Sequence, residues 1–432
     1  MYWEKQLETI PREELSLLQA ERLQKTMANA QKTNFYRRLF SRHKIDPEKI
    51  KSPEDLTVIP PTTKADLREG FPFDFLAVPL EEVVRLHSSS GTTGTPTVIY
   101  YTAEDLDRWT NQVARSLYAA GVRKNDVFQN MMSYGLFTGG LGMHYGAERI
   151  GALTIPIGAG NSKRQIWFLK FFQSTTIHII PSYALFLTQL IKAEGLDPRR
   201  DFNIRTILLG SEPHSEETRR RIEEIYGAKA YNSYGLSEVN GPGVAFECAF
   251  QEGMHLWEDY YILEIVNPHT LSPVPPGEVG EIVLTTIYRD ATPLLRYRTG
   301  DLASLVEGPC PCGRVHRRIS RIQGRTDDML IFRGVNIFPM QIETVLMSTP
   351  GVDTNYRVIL EREDYQDKMI VEVEIKPELF LGDLQKLARL RERIQSELRS
   401  EILVTPEVVL LEPGSIPASE GKAQRVIDRR QL

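Results

Sequence analysis

Between about residues 102 and 225 the chain alternates helical periods with short apolar strands, and this rhythm restricts its fold more than any other feature. The stretch "ILLGSEPHSEETRRRIEEIYG" shows one unit: a strand over 206–209, a polar turn, then a helix capped at Ser215 with acids in its first turn. A helix that carries the chain back between strands joins parallel neighbours, so the expected class is α/β with a largely parallel sheet. From 254 to 305 the texture changes. The runs "YYILEIV" and "EIVLTTI" flank "NPHTLSPVPPGEVG", which predicts strands joined by tight turns.

The last hundred residues read as a separate α+β unit. In "NYRVILEREDYQDKMIVEVEIKPE" two strands surround a polar turn, and Val371, Val373 and Ile375 alternate with Glu372, Glu374 and Lys376. A helix follows with Leu384, Leu387, Ile394 and Leu398 on one face, then the strand "EVVLLEP". The boundary is expected near "GRTDDML" (324–330), which gives a large domain over 1–326 and a small one over 327–432.

Composition excludes several function classes. A net charge of −5 over 432 residues offers no general attraction to nucleic acid or anionic lipid. No apolar run is long enough to span a bilayer. The start, "MYWEKQLETIPREELSLLQAERLQ", is helix-like and lacks the layout of a secretory signal. Three cysteines make no disulfide framework, and a reducing cytoplasm is expected.

The stretch "SSSGTTGTPTVIY" (88–100) is the first candidate for chemistry. Glycines allow close approach, and consecutive N–H groups with hydroxyls can cradle a polyanion. It matches neither G-x-x-x-x-G-K-[ST] nor G-x-G-x-x-G, and by itself such a run is more often a flexible loop. Four further segments follow in order: "YNSYGLSE" (231–238), "YRTGD" (297–301), "GRTDDMLIFRGVNIFP" (324–339) and "GKAQRV" (421–426). Together the five resemble the adenylate-forming superfamily of acyl-CoA synthetases, luciferases and peptide-synthetase adenylation domains. "YGLSEVNGPGVAFEC", "GMHLWEDYY" and "RGVNIFPMQIE" are similar to the phenylacetate–CoA ligase family within it.

The resemblance implies a fold and a two-step reaction: a large α/β amino-terminal domain with a small β subdomain, and a mobile α+β carboxy-terminal lid. A carboxylate attacks the α-phosphate of ATP, and coenzyme A then displaces AMP to leave a thioester. Ser89, Ser90, Gly91, Thr92, Thr93 and Gly94 would wrap phosphates, with Thr95 where many members carry lysine. Glu238 would hold Mg²⁺, a hard cation suited to carboxylate oxygen. Gly210, Ser211, Glu212 and Pro213, with Asn232, Ser233, Tyr234 and Gly235, would border the adenine and acyl groups. Asp301 would accept the ribose hydroxyls, Arg325 would contact ribose or phosphate, and Asp327 would be the hinge. Lys422 would swing in to bridge carboxylate and phosphate oxygens as charge moves. Tyr134, Phe137, Ala147 and Ile157 are candidates for an apolar slot, where ordinary packing is an equal reading.

Cys248, His255, Cys310 and Cys312 include every cysteine in the chain and lie beside Gly/Pro-rich loops. As a Cys₃His set they suit a closed structural Zn²⁺ site, although the C-x-C spacing differs from the common C-x₂-C. The leading expectation is therefore an AMP-forming ligase acting on a small aromatic acid, phenylacetate first, with ATP and coenzyme A as partners. The family also suggests a homodimer. The alternatives are adenylation of a different acid or a coenzyme acceptor, and a nucleotide-binding relative without catalysis.

Overall fold

The structure is a computed structural model, and it describes residues 2–89, 95–333, 335–363, 366–380, 384–417 and 423–430. Ser90, Gly91, Thr92, Thr93, Gly94 and Lys422 lie outside the described residues.

The alternating region folds as its rhythm predicts. Strands Leu153–Ile155, Val127–Asn130, Thr176–Ile179, Thr206–Leu209 and Lys229–Tyr234 run parallel in that spatial order. Helix Ala103–Ala119 leads into the first of them along the chain, Val127–Asn130, and helices Thr138–Ile150, Ser162–Phe172, Pro181–Ala193 and Glu216–Tyr226 supply the four connections. Ser215 caps the last of these, accepting the Thr218 N–H. The sheet does not stop where the rhythm does. Ala245–Glu247, Met254–Leu256, Arg318–Ile319 and Leu305–Val306 extend it antiparallel to nine strands. A second sheet, wholly antiparallel, is built from Tyr261–Val266, Gly280–Thr286, Tyr297–Ala303 and Gly324–Arg325.

Beyond Leu330 the chain forms a body with its own core. A hairpin, Leu330–Phe332 with Val335–Ile337, leads into helix Pro339–Ser348. Strands Val352–Glu363 and Gln366–Ile375 pair antiparallel, flanked in parallel by Val426–Asp428 and Glu407–Leu411. Val371, Val373 and Ile375 are all fully buried, as the alternation requires. Glu374, expected on the solvent face, is buried too: its carboxylate accepts the Ile416 N–H (2.7 Å) and the Asn355 amide (3.0 Å). The tail crosses that face, which local alternation cannot report. Helix Leu384–Ile402 packs through Ile394, Leu398 and Ile402, whereas Leu384 at its first position is 82% exposed. The fold is thus mixed α/β in a two-domain arrangement.

The amino-terminal helix Arg12–Ala30 buries Leu15, Leu23, Met27 and Ala30, so most of its apolar face is spent on its own chain. It also tightens a cluster of buried charge. The Arg115 guanidinium donates to both oxygens of Asp259 (2.7 and 3.0 Å), and both residues have side chains of zero exposure. Burial pushes the Asp259 carboxyl up, but Arg115 and then His316 and Arg22 outweigh it, leaving it below the usual range. A carboxyl depressed in the folded state contributes stability above its unfolded value of about 4, and that contribution fades as pH falls towards the folded value. Asp259→Asn is expected to cost about 3–5 kcal/mol near neutral pH by stranding Arg115. It should also flatten the loss of stability below about pH 4; urea titrations across that range measure both effects.

Candidate active site and cysteine cluster

The Gly/Ser/Thr loop springs from a hairpin of Arg85–Ser88 and Val98–Tyr101. Ser89 and Thr97 close its base: Ser89 N–H donates to the Thr97 carbonyl (3.2 Å), and Thr97 N–H to the Ser89 hydroxyl (3.1 Å). Thr97 is turned towards the next motif, its hydroxyl donating to Glu238 Oε1 at 3.2 Å. Glu238 is buried on the short turn Ser237–Val239, whose main chain is pinned by Arg289 through the Glu238 carbonyl (2.8 Å).

Lys64 provides the counter-charge. Its Nζ lies 3.6 Å from Glu238 Oε1. Lys64 opens the helix Lys64–Glu69, and a reciprocal Thr63–Asp66 capping box holds that helix end. Thr62 ties the segment to the second sheet by bridging to Tyr297. The motif reading passed over Lys64 because its segment lies outside all five motifs; the capping pattern in "TTKAD" shows a helix start but not what the helix end faces.

Strand Tyr297–Ala303 carries Asp301 to the same region. Asp301 Oδ2 accepts the Tyr234 hydroxyl (2.8 Å), and Oδ1 accepts Arg325 Nη1 (2.6 Å). Register sets this contact, since Asp301 and Arg325 are direct partners across adjacent strands. Gly300 is required beside them: its φ is +76°, and a Cβ there would come within 2.9 Å of Arg325 Nη2. Burial pushes the Asp301 carboxyl up, and Arg325 and Tyr234 offset this only in part. Arg325 also donates to Asp327 at 2.7 Å. Burial raises the Asp327 carboxyl, but Arg325 and, more weakly, Lys64 bring it below its usual range. Residues 89, 97, 238 and 64 are therefore linked by hydrogen bonds or close charge, and so are residues 327, 325, 301 and 234; the Lys64 charge also acts on Asp327, although more than two hundred positions separate it from Ser89.

The strand-end loop is held less directly. Gly210 is packed so that a Cβ would meet Ser233 Oγ at 2.5 Å, and Ser211 has a φ of +70°. Glu212 turns aside to accept the Ser182 N–H (2.5 Å) at the start of helix Pro181–Ala193. Asn232 donates to Glu247 through its amide (2.9 Å), and its own carbonyl oxygen is buried without a partner. Gly235 backs against Gly241 and Pro242. The apolar candidates divide. Tyr134, hydrogen-bonded to Asn130 (2.9 Å), approaches Gly158 next to Ile157. Phe137 is 45% exposed at the start of its helix. Ala147 is fully buried in the main core, where packing accounts for it.

The tail is anchored on both sides of residues 418–422. Glu374 accepts the Ile416 N–H before them, and after them the Arg425 carbonyl accepts the Val358 N–H (2.7 Å). Arg425, just after them, is among the charges that offset the burial of Glu212 in the strand-end loop.

At the antiparallel end of the large sheet, Cys248, His255, Cys310 and Cys312 bring four ligand atoms within 4.8 Å of one another. Cys248 and Cys310 sulfurs are 3.6 Å apart, too far for a disulfide, and Cys312 Sγ is 3.3 Å from His255 Nε2. A tetrahedron with Zn–S near 2.3 Å and Zn–N near 2.05 Å has edges of about 3.8 and 3.5 Å, so the set fits zinc. His255 Nδ1 is 3.3 Å from the His316 carbonyl, the second-side contact that orients a ligating imidazole. The Cys312 thiol is driven strongly down, first by its contact with Cys248 and then by His255, while that same contact drives Cys248 up.

Comparison with known proteins decides the family. The AMP-binding enzyme profile matches residues 16–287, and the AMP-binding enzyme C-terminal domain profile matches 334–430. A phenylacetate-coenzyme A ligase of Thermus thermophilus is 44% identical, with all of both chains covered. The chain belongs to the phenylacetate-coenzyme A ligase family. A solved 2-hydroxyisobutyryl-CoA ligase in its postadenylation state matches this AMP-binding enzyme with a TM-score of 0.93 at 30% identity, covering 100% of this chain and 93% of that one. In its thioesterification state the same ligase, at 31% identity and the same coverage, gives 0.73. The family member described here is an AMP-forming ligase that uses ATP and coenzyme A. No helix among its described residues is long and apolar enough to cross a membrane.

Proposed function

We propose that the chain activates phenylacetate or a close arylacetic acid as its acyl-adenylate and passes the acyl group to coenzyme A. The observation that carries this reading is a pair of linked series, Ser89, Thr97, Glu238 and Lys64 on one side and Asp327, Arg325, Asp301 and Tyr234 on the other, with the Lys64 charge acting on Asp327. It joins the phosphate loop, a hard-metal carboxylate, a mobile cation and a ribose-binding carboxylate at one face. The 44% identity to a named phenylacetate ligase supports the choice of acid.

In the first half-reaction a carboxylate oxygen of the acid forms a bond to the α-phosphorus, and the bond to pyrophosphate breaks. In the second, the coenzyme A sulfur attacks the acyl carbon and AMP leaves. Charge neutralisation and alignment carry the first step. Ser89 and the loop 90–94 would hold phosphates, with Thr95 leaving the loop without a cation of its own. Lys64 would supply that charge by turning from Glu238 to phosphate oxygens, and Glu238 would hold Mg²⁺. Mg²⁺ would there neutralise phosphate charge as a hard Lewis acid. The remaining lone pairs of Asp301 accept ribose hydroxyls, while Tyr234, its hydroxyl committed to Asp301, offers only its ring to the purine. Gly210–Pro213, Asn232, Ser233 and Gly235 would border the adenine, with Tyr134, Phe137 and Ile157 beside the aryl group. Units 1–326 and 327–432 would rotate about Asp327, and Lys422 would bridge carboxylate and phosphate in the first half only.

AMP release with ATP, Mg²⁺ and coenzyme A across a panel of acids tests the substrate. Phenylacetate should rank first, and a panel led by acids without a ring would overturn the reading. Lys422→Ala should lower adenylate formation by about 100-fold or more, with thioester formation from supplied acyl-adenylate kept. Lys64→Met should raise KM for ATP by about tenfold and leave that same second half unaltered.

The cysteine cluster is assigned to structural Zn²⁺, which would staple the strands 245–256 to the loop 310–313. All four tetrahedral positions are then filled by protein, so the metal would take no part in the reaction. Elemental analysis of freshly purified protein should find about one equivalent of zinc, and Cys310→Ser should lose it together with several degrees of Tm. Less than half an equivalent in the unaltered protein would count against the site. Free thiols at this spacing also favour a reducing, cytoplasmic setting, and a homodimer is the assembly expected of the family; sedimentation measures the latter.

A further inference from the structure

Helix Pro339–Ser348 of the carboxy-terminal body presses one carboxylate onto the large domain. Glu343 Oε1 accepts the Ser215 N–H (2.9 Å) and the Thr218 hydroxyl (2.8 Å). Ser215 is the N-cap of helix Glu216–Tyr226, so the carboxylate meets the positive end of a helix of eleven residues. Its other oxygen, Oε2, accepts the Tyr356 hydroxyl (2.9 Å) from the body that carries it. Glu343, Ser215, Thr218 and Tyr356 are all buried. One turn along the same helix, Arg221 donates across the junction to the carbonyls of Met347 (3.2 Å) and Val352 (3.4 Å).

This contact lies beside the tail that leads from residue 422. Tyr356, held by Glu343, has the Arg425 guanidinium over its ring at 4.5 Å and gives its carbonyl to Arg425 Nη1 (3.2 Å). Arg425 in turn bears on Glu212 of the strand-end loop. A single buried carboxylate thus connects a helix end of the large domain to the residue that seats the tail.

We propose that Glu343 is a positioning residue for the adenylate-forming half-reaction: it latches the carboxy-terminal body onto the Ser215 helix end and so aligns the tail with the nucleotide. This rests on the two-step reading given above. The arrangement described here matches the postadenylation form of the related ligase far better than its thioesterification form. Those two forms share one sequence and differ in shape, and the latch belongs to the shape this chain adopts.

The two halves of the reaction distinguish a latch from general support. Glu343→Ala should slow adenylate formation from phenylacetate and ATP roughly tenfold and keep thioester formation from supplied phenylacetyl-adenylate within about twofold. Thr218→Val, which removes one partner from the large domain alone, should shift the same half by about threefold. Glu343→Gln retains an acceptor and should fall between the wild type and Glu343→Ala. Equal loss in both halves, or no loss in the first, overturns the latch. Small-angle scattering of the ligand-free proteins reads it independently of chemistry: Glu343→Ala should be more open, and a profile identical to the wild type counts against it. A wild type inactive on every acid would overturn the substrate reading while the scattering still judges the latch.

Discussion

Three carboxylates on one face of a protein repel one another, and a triphosphate added to them would raise that cost further. The site is tenable because cations stand beside them: Lys64 against Glu238, its charge also acting on Asp327, and Arg325 between Asp327 and Asp301. Each cation springs from a backbone position that the fold fixes. Arg325 faces Asp301 through strand register, and Lys64 opens a capped helix tied to Tyr297. Preorganised charge of this kind does most in a partly buried setting, where the effective dielectric is low.

Two further attachments keep that face in shape. The antiparallel extension of the large sheet brings the cysteine cluster together and carries the amino-terminal segment with it. Tyr2 donates to the Cys312 carbonyl (2.8 Å), and Arg314 pairs with Glu8 (2.6 Å), both of them almost free of solvent. The carboxy-terminal body, for its part, meets the large domain through the Ser215 helix end and Arg221. A rigid attachment on one side and a polar, breakable one on the other suit a domain proposed to rotate.

Much of this was legible in one dimension. The helix–strand rhythm marks a parallel sheet, and the Pro/Gly-rich punctuation marks an antiparallel one. Local patterning fails where distant chain covers a surface. Glu374 follows a strict alternation and is buried because the tail at Ile416 lies over it. Leu384 follows the helical period and is exposed at the start of its helix. Ala147 stands among glycines and aromatics yet belongs to the core.

By itself, the amino-acid sequence determined the element types, the family and the kinds of atom available: hydroxyls and N–H groups for phosphate, hard carboxylates, three thiols with an imidazole. Periodicity and donor chemistry are local properties, carried within a few residues. Tertiary structure alone decided which groups are already spent on one another. It committed both Asp301 oxygens to Tyr234 and Arg325, set Lys64 against Glu238, and laid Glu343 on a helix end 128 positions away from it in the chain. Such pairings follow from strand register and the stacking of whole bodies, and no short stretch of sequence carries that information.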